Sequence, residues 1–164
     1  MISHLKKLSI ARLYLIKIII SFGYVGYIRG FPGTLASLLV CIVYDVWDIG
    51  HIWSITTLSI WLFLFIIVTK IVHRHVSNLT EQDPSFIVID EVFGQLLPLF
   101  LCDNSYDILV SFVMFRVFDI LKPWPIYIIE SRLKGGVAVM LDDVLAGVMA
   151  IVVLSVYDKM LILP

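Results

Sequence analysis

The chain alternates long apolar runs with short polar stops. Ile52 to Val72 carries no charge before Lys70 and is long enough to cross a membrane, which takes about 20 apolar residues. Val137 to Leu163 is apolar apart from Asp142, Asp143, Ser155, Asp158 and Lys159. Leu35 to Ile49, Phe86 to Leu101 and Tyr106 to Leu121 are shorter apolar runs, each with a few polar positions. The stops between runs are Gly50-His51, a polar loop from His73 to Ser85, Cys102 to Asp107, and a connection from Lys122 to Gly136. Pro123 is expected to end the helix before it, because it lacks an N–H and restricts the preceding residue. Gly30-Phe31-Pro32-Gly33-Thr34 marks a turn, with Thr34 or Ser37 expected to cap the next helix. The pattern predicts an all-α, multi-pass membrane helical bundle crossing at 35–50, 52–72, 88–102, 106–121 and 143–162.

Residues 1–29 read differently. Lys6, Lys7, Arg12, Lys17 and Arg29 are mixed with apolar residues and do not collect on one helical face. This is expected to be a basic, cytosolic or interfacial segment, followed by a single helical membrane domain over 30–164. Composition supports the membrane class. Apolar residues make up 60% and charged residues 15% of the 164, against roughly 45–50% and 25% in ordinary globular domains. Mean hydropathy is +1.01. The net charge of −1 names no partner, and the lack of a basic patch with interleaved aromatics argues against nucleic acid. Cys41 and Cys102 sit at no metal-ligand spacing and read as packing residues. With a cytosolic N-terminus, Lys and Arg fall on or near the inner side, Lys159 excepted, as topology rules require.

The same topology brings four polar motifs to the inner ends of their helices: Gly33-Thr34, Asp90-Glu91, Arg116 to Lys122, and Asp142-Asp143. In the stretch FRVFDILKPWPI at 115–126, Arg116, Asp119 and Lys122 stand three residues apart and share a helical face. Such charges in apolar surroundings must pair or serve a function. Adjacent acids on a helix point about 100° apart, so one of each pair can face a shared site. Carboxylates crowded together repel unless protonated or bridged by cations. An all-oxygen ligand set favours a hard cation, Mg²⁺ over Zn²⁺. Arg116 and Lys122 suit phosphate oxygens, and the Gly33-Thr34 turn offers backbone N–H groups to an anion. Together these point to phosphoryl chemistry on a lipid headgroup. A metal-dependent phosphatidyltransferase is the alternative enzyme, although no Arg stands between Asp142 and Gly147. An ion or proton transporter would instead distribute its acids through the membrane depth.

Pro32-Gly33-Thr34 with Ser37, Ile89-Asp90-Glu91 with Gly94, FRVFDILKPWPI, and Gly135-Gly136 through Met140 to Asp142-Asp143 with Ala146-Gly147 together resemble the phosphatidylglycerophosphatase A family. The resemblance runs from about residue 22 to the C-terminus. It implies Mg²⁺-dependent removal of the phosphate monoester from phosphatidylglycerophosphate, at the bacterial inner membrane. It also implies roles in metal binding and catalysis for Asp90, Glu91, Asp119, Asp142 and Asp143, and in phosphate binding for Arg116 and Lys122. Two positions depart from the family pattern: Ala36 and Ala138 stand where the family carries glycine. The charged motif positions are all present, so an active enzyme is expected.

Overall fold

The structure is a computed structural model that describes residues 13–47, 55–76 and 85–162. Lys6, Lys7, Arg12, Asp48, the Gly50-His51 break, Trp53 and the loop over 77–84 lie outside the described residues. In chain order the helices are α1 (residues 13–20), α2 (Pro32–Val46), α3 (Ile55–Val76), α4 (Ile89–Leu99), α5 (Ser105–Leu121), α6 (Ile126–Arg132) and α7 (Gly136–Ile162), with a 3₁₀ turn at Val25–Tyr27. Among the described residues there is no strand.

Local chemistry explains the helix ends. Pro32 opens α2, where its missing N–H is no loss. Neither Thr34 nor Ser37 caps that helix, contrary to expectation. The cap position is Phe31, and Ser37 Oγ donates to the Gly33 carbonyl at 3.0 Å inside the helix. Asn104 caps α5 by accepting from the N–H groups of Tyr106 and Asp107 at 2.9 and 3.0 Å. At the other end Lys122 turns left-handed, φ 42°, and its N–H closes on the Phe118 carbonyl, directly before Pro123. The connection expected over 122–136 contains a short helix, α6. α7 starts at Gly136, so Asp142 and Asp143 sit about two turns inside it rather than at its start.

α7 packs against α3, α4, α5 and α6, while α4 also meets α2 and α5. The α4–α7 crossing is made at two glycines. A Cβ on Gly94 would come 2.6 Å from the Asp143 carbonyl oxygen and 2.7 Å from the Phe115 ring, and one on Gly147 would strike the Gly94 carbonyl. Gly136 rests on the His73 backbone, which joins the end of α3 to the start of α7. At the opposite end Tyr44 donates to the Cys102 carbonyl at 3.3 Å and Ser105 to Asp45 at 2.8 Å. Trp61 packs with Phe65, Phe93 and Phe100. Cys41 and Cys102 are buried free thiols. Ala36 and Ala138 are buried within helices and neither has positive φ. These are packing positions, where alanine brings no left-handed strain.

The bundle exterior is apolar. Leu58, Leu62 and Phe63 on α3, Leu109 and Ile120 on α5, and Val152 on α7 are all exposed. Thr56–His75 and Gly136–Tyr157 are long and apolar enough to cross a membrane, and only 11% of the most apolar stretch of the first is buried inside the fold. The helices at the three other expected crossings are shorter. α2, α4 and α5 have 15, 11 and 17 residues, about 22, 16 and 26 Å against a hydrocarbon core of about 30 Å.

Candidate active site

Asp90 and Glu91 lie in the first turn of α4, where the helix dipole favours negative charge. The close glycine crossing brings α7 against this turn. As a result Asp90, Glu91 and Asp143 each offer a carboxylate oxygen within 4.8 Å of the other two. Asp90 and Asp143 are buried, at 5% and 4% exposure. The Glu91 carboxylate is seated directly on Gly33 in the first turn of α2. The start of α2 therefore faces a protein carboxylate, with Thr34 half-buried beside it. Glu91 Oε2 and Asp143 Oδ2 are buried and accept no hydrogen bond from the described residues. Three converging carboxylates, with the desolvated Glu91 Oε2 and Asp143 Oδ2 open among them, fit a hard divalent cation by charge and donor type.

α5 supplies the facing wall. Arg116 Nη1 lies 2.7 Å from Asp119 Oδ2, an ion pair at the i,i+3 spacing read from the sequence, though its N–H is not aligned as a hydrogen bond. Asp119 acts electrostatically on both Glu91 and Asp143, and Arg116 acts on Glu91. The Arg116 Nε is a buried donor without a partner among the described residues. An orphaned guanidinium N–H beside a cation-ready acid cluster is chemically matched to an anionic oxygen.

Asp142 stands outside the Asp90–Glu91–Asp143 group. Its Oδ2 accepts from Lys122 Nζ at 2.8 Å, and the same ammonium donates to Glu130 Oε1 at 2.8 Å. Burial lowers the Lys122 pKa, but the hydrogen bonds and charges of Asp142 and Glu130 outweigh it and hold the group above its ordinary value. A raised folded-state pKa gives stability that is complete below the unfolded-state value and lost only as pH rises through the folded one. Lys122→Met is therefore expected to lower the melting temperature by the same amount at pH 7 and pH 9. Thermal unfolding at the two pH values checks this. Glu130 is the member of this network that the sequence reading missed. Its signal was a lone acid eight residues beyond Lys122, in a stretch read as connector.

The model of the family described as phosphatidylglycerophosphatase A matches residues 18–158. This chain belongs to that family. It is 32% identical over 123 residues to phosphatidylglycerophosphatase A of Escherichia coli, covering 73% of this chain and 69% of the relative. The Haemophilus influenzae protein of the same name is 33% identical over 136 residues, covering 78% and 79%. A Bacteroides thetaiotaomicron protein, named provisionally as a phosphatidylinositol-3-phosphatase, is 33% identical over 144 residues and covers 80% and 88%. No solved structure matches the chain. Within the phosphatidylglycerophosphatase A family match lie all the site residues above, from Gly33 to Asp143.

Proposed function

We propose that this chain is a phosphatidylglycerophosphatase, hydrolysing the phosphate monoester of phosphatidylglycerophosphate to give phosphatidylglycerol and inorganic phosphate. The observation that carries the reading is a buried three-carboxylate cluster facing an orphaned Arg116 donor, in a chain of this family. Asp90, Glu91 and Asp143 hold the metal, which we take to be Mg²⁺. When bound, it neutralises the acid cluster and polarises the phosphoryl oxygens. Arg116 grips a phosphate oxygen through Nε, and Asp119 keeps the guanidinium turned to the site. Lys122 has given two of its three N–H donors to Asp142 and Glu130, leaving one for the phosphate. Asp142 fixes that ammonium, and the first turn of α2 at Thr34 closes the site beside Glu91. The apolar exterior is the lipid-facing surface of a multi-pass bundle in the bacterial inner membrane, with the acids at its cytosolic side.

The test is phosphate release by the detergent-purified protein with Mg²⁺ or with chelator, offered phosphatidylglycerophosphate and, in parallel, phosphatidylinositol 3-phosphate. Both lipids carry a phosphate monoester, so the same acids and cations serve either. The Bacteroides relative is the reason to include the second. Metal-dependent release from phosphatidylglycerophosphate, at least tenfold faster than from the inositol lipid, is the expected result. The reverse preference would transfer the assignment to the inositol lipid, and release unaffected by chelator would remove the metal.

A further inference from the structure

A cleft of about 190 Å³ lies between α2 and α5, lined by Leu38, Cys41, Ile42, Asp45, Ser105, Ile108, Leu109 and Phe112. It is below the roughly 300–1,000 Å³ of typical small-molecule sites, so it suits a slender occupant. Its lining follows helical stripes. On α2, positions 38, 41, 42 and 45 are spaced as one face, and the next position on that face toward the helix start is Thr34. On α5, positions 105, 108, 109 and 112 form the corresponding face, and its continuation toward the helix end is Arg116 and then Asp119. Both stripes therefore run from the acid cluster down into the cleft. At the far end the Ser105–Asp45 hydrogen bond closes it.

The stripes from Thr34 to Asp45 and from Arg116 to Ser105 each rise about 16 Å. That is close to one leaflet of a hydrocarbon core about 30 Å thick. The side walls are apolar, and Leu38, Ile42 and Leu109 are open to the outside at 40%, 48% and 57% exposure, so a chain can enter sideways from lipid.

Resting on the lipid-phosphate reading above, we propose that this cleft holds one acyl chain of the same phospholipid whose phosphate sits at Arg116. The α2–α5 cleft then sets substrate depth, because a chain seated against Phe112 and Leu38 fixes how far the headgroup reaches toward Asp143. It also makes the enzyme selective for long chains.

The experiment has two arms. In the first, kcat/KM is compared for long-chain and short-chain phosphatidylglycerophosphate in Leu109→Trp, in Leu38→Trp and in Leu62→Trp on the exposed face of α3. The long-to-short ratio should fall about tenfold in each cleft variant, the loss of burial of two methylene groups, and stay at the wild-type value in Leu62→Trp. An unchanged ratio in both cleft variants overturns the proposal. In the second arm, phosphatidylglycerophosphate with a photoreactive group in one acyl chain is cross-linked to the wild type. Label should concentrate on 38–45 and 105–112 over 56–67. Equal label on α3, or equal label in the cleft from a phosphatidylcholine with the same chain, means general bilayer lipid and overturns the proposal. Cleft labelling by the phosphate lipid in a protein that releases no phosphate would sustain the acyl site while removing the phosphatase reading.

Discussion

Asp143→Asn is expected to abolish phosphate release and, at the same time, to raise the melting temperature of the metal-free protein. The two effects share one cause. Asp143 is buried, its Oδ2 accepts no hydrogen bond from the described residues, and it lies within 4.8 Å of both Asp90 and Glu91. Two carboxylates at that separation would repel by roughly 3 kcal/mol if both were ionised, at an effective dielectric of about 20, and escaping that repulsion by taking up a proton also costs free energy. Without a cation the cluster opposes folding either way, and asparagine removes one ionisable group at nearly constant volume. With a cation the same convergence becomes attraction. Wild-type protein should therefore gain stability from Mg²⁺, because a ligand that binds only the folded state stabilises it by mass action. Asp143→Asn should lose that gain together with activity. The activity loss should exceed about 100-fold, the upper range for removing a group that only supports a metal ligand. Melting curves in detergent, with chelator and with Mg²⁺, separate the cases. A metal-free variant less stable than wild type would make Asp143 a structural hydrogen-bonding group and take it out of the metal site.

The sequence announces some parts of this arrangement and conceals others, for physical reasons. Arg116 and Asp119 pair as their spacing predicts, since i,i+3 contacts depend only on local helix geometry. The end of α5 at Lys122 is equally local, because Pro123 forces it. The division of labour in Asp142-Asp143 is not local. Adjacent acids must diverge, yet which one joins Asp90 and Glu91 depends on how α7 is rotated against α4, and two glycines in contact set that rotation. Glu91 on Gly33 joins residues 58 positions apart in the chain, a proximity that no spacing rule supplies. Helices also run further than the pattern predicts where the sequence looks like a loop. Gly135-Gly136 reads as a flexible pair, but only Gly135 takes positive φ, 71°. Gly136 already opens α7, and its glycine serves close packing, since a side chain there would collide with the His73 backbone.

The same crossing gives the largest expected effect outside the acids. Gly94→Ala should lower the melting temperature and also raise the Mg²⁺ concentration needed for half-maximal activity. In an isolated helix alanine is better than glycine by about 1 kcal/mol, so propensity alone predicts the opposite sign. Packing decides against it. The added methyl would stand 2.6 Å from the Asp143 carbonyl oxygen and 2.9 Å from its carbon, and backbone cannot rotate away as a side chain can. α4 and α7 must separate. Overpacking of this kind typically costs about 1–3 kcal/mol, more than the propensity gain. The atoms displaced belong to Asp143 itself, while Asp90 and Glu91 move with the other helix, so the separation widens the carboxylate cluster directly. Gly147→Ala meets the Gly94 carbonyl from the opposite side and should reproduce both effects. Calorimetry with a Mg²⁺ titration of activity reads the two quantities on the same preparations. A lower melting temperature with an unaltered Mg²⁺ requirement would mean that the two helices re-pack without moving the acids, and that the glycine crossing serves stability alone.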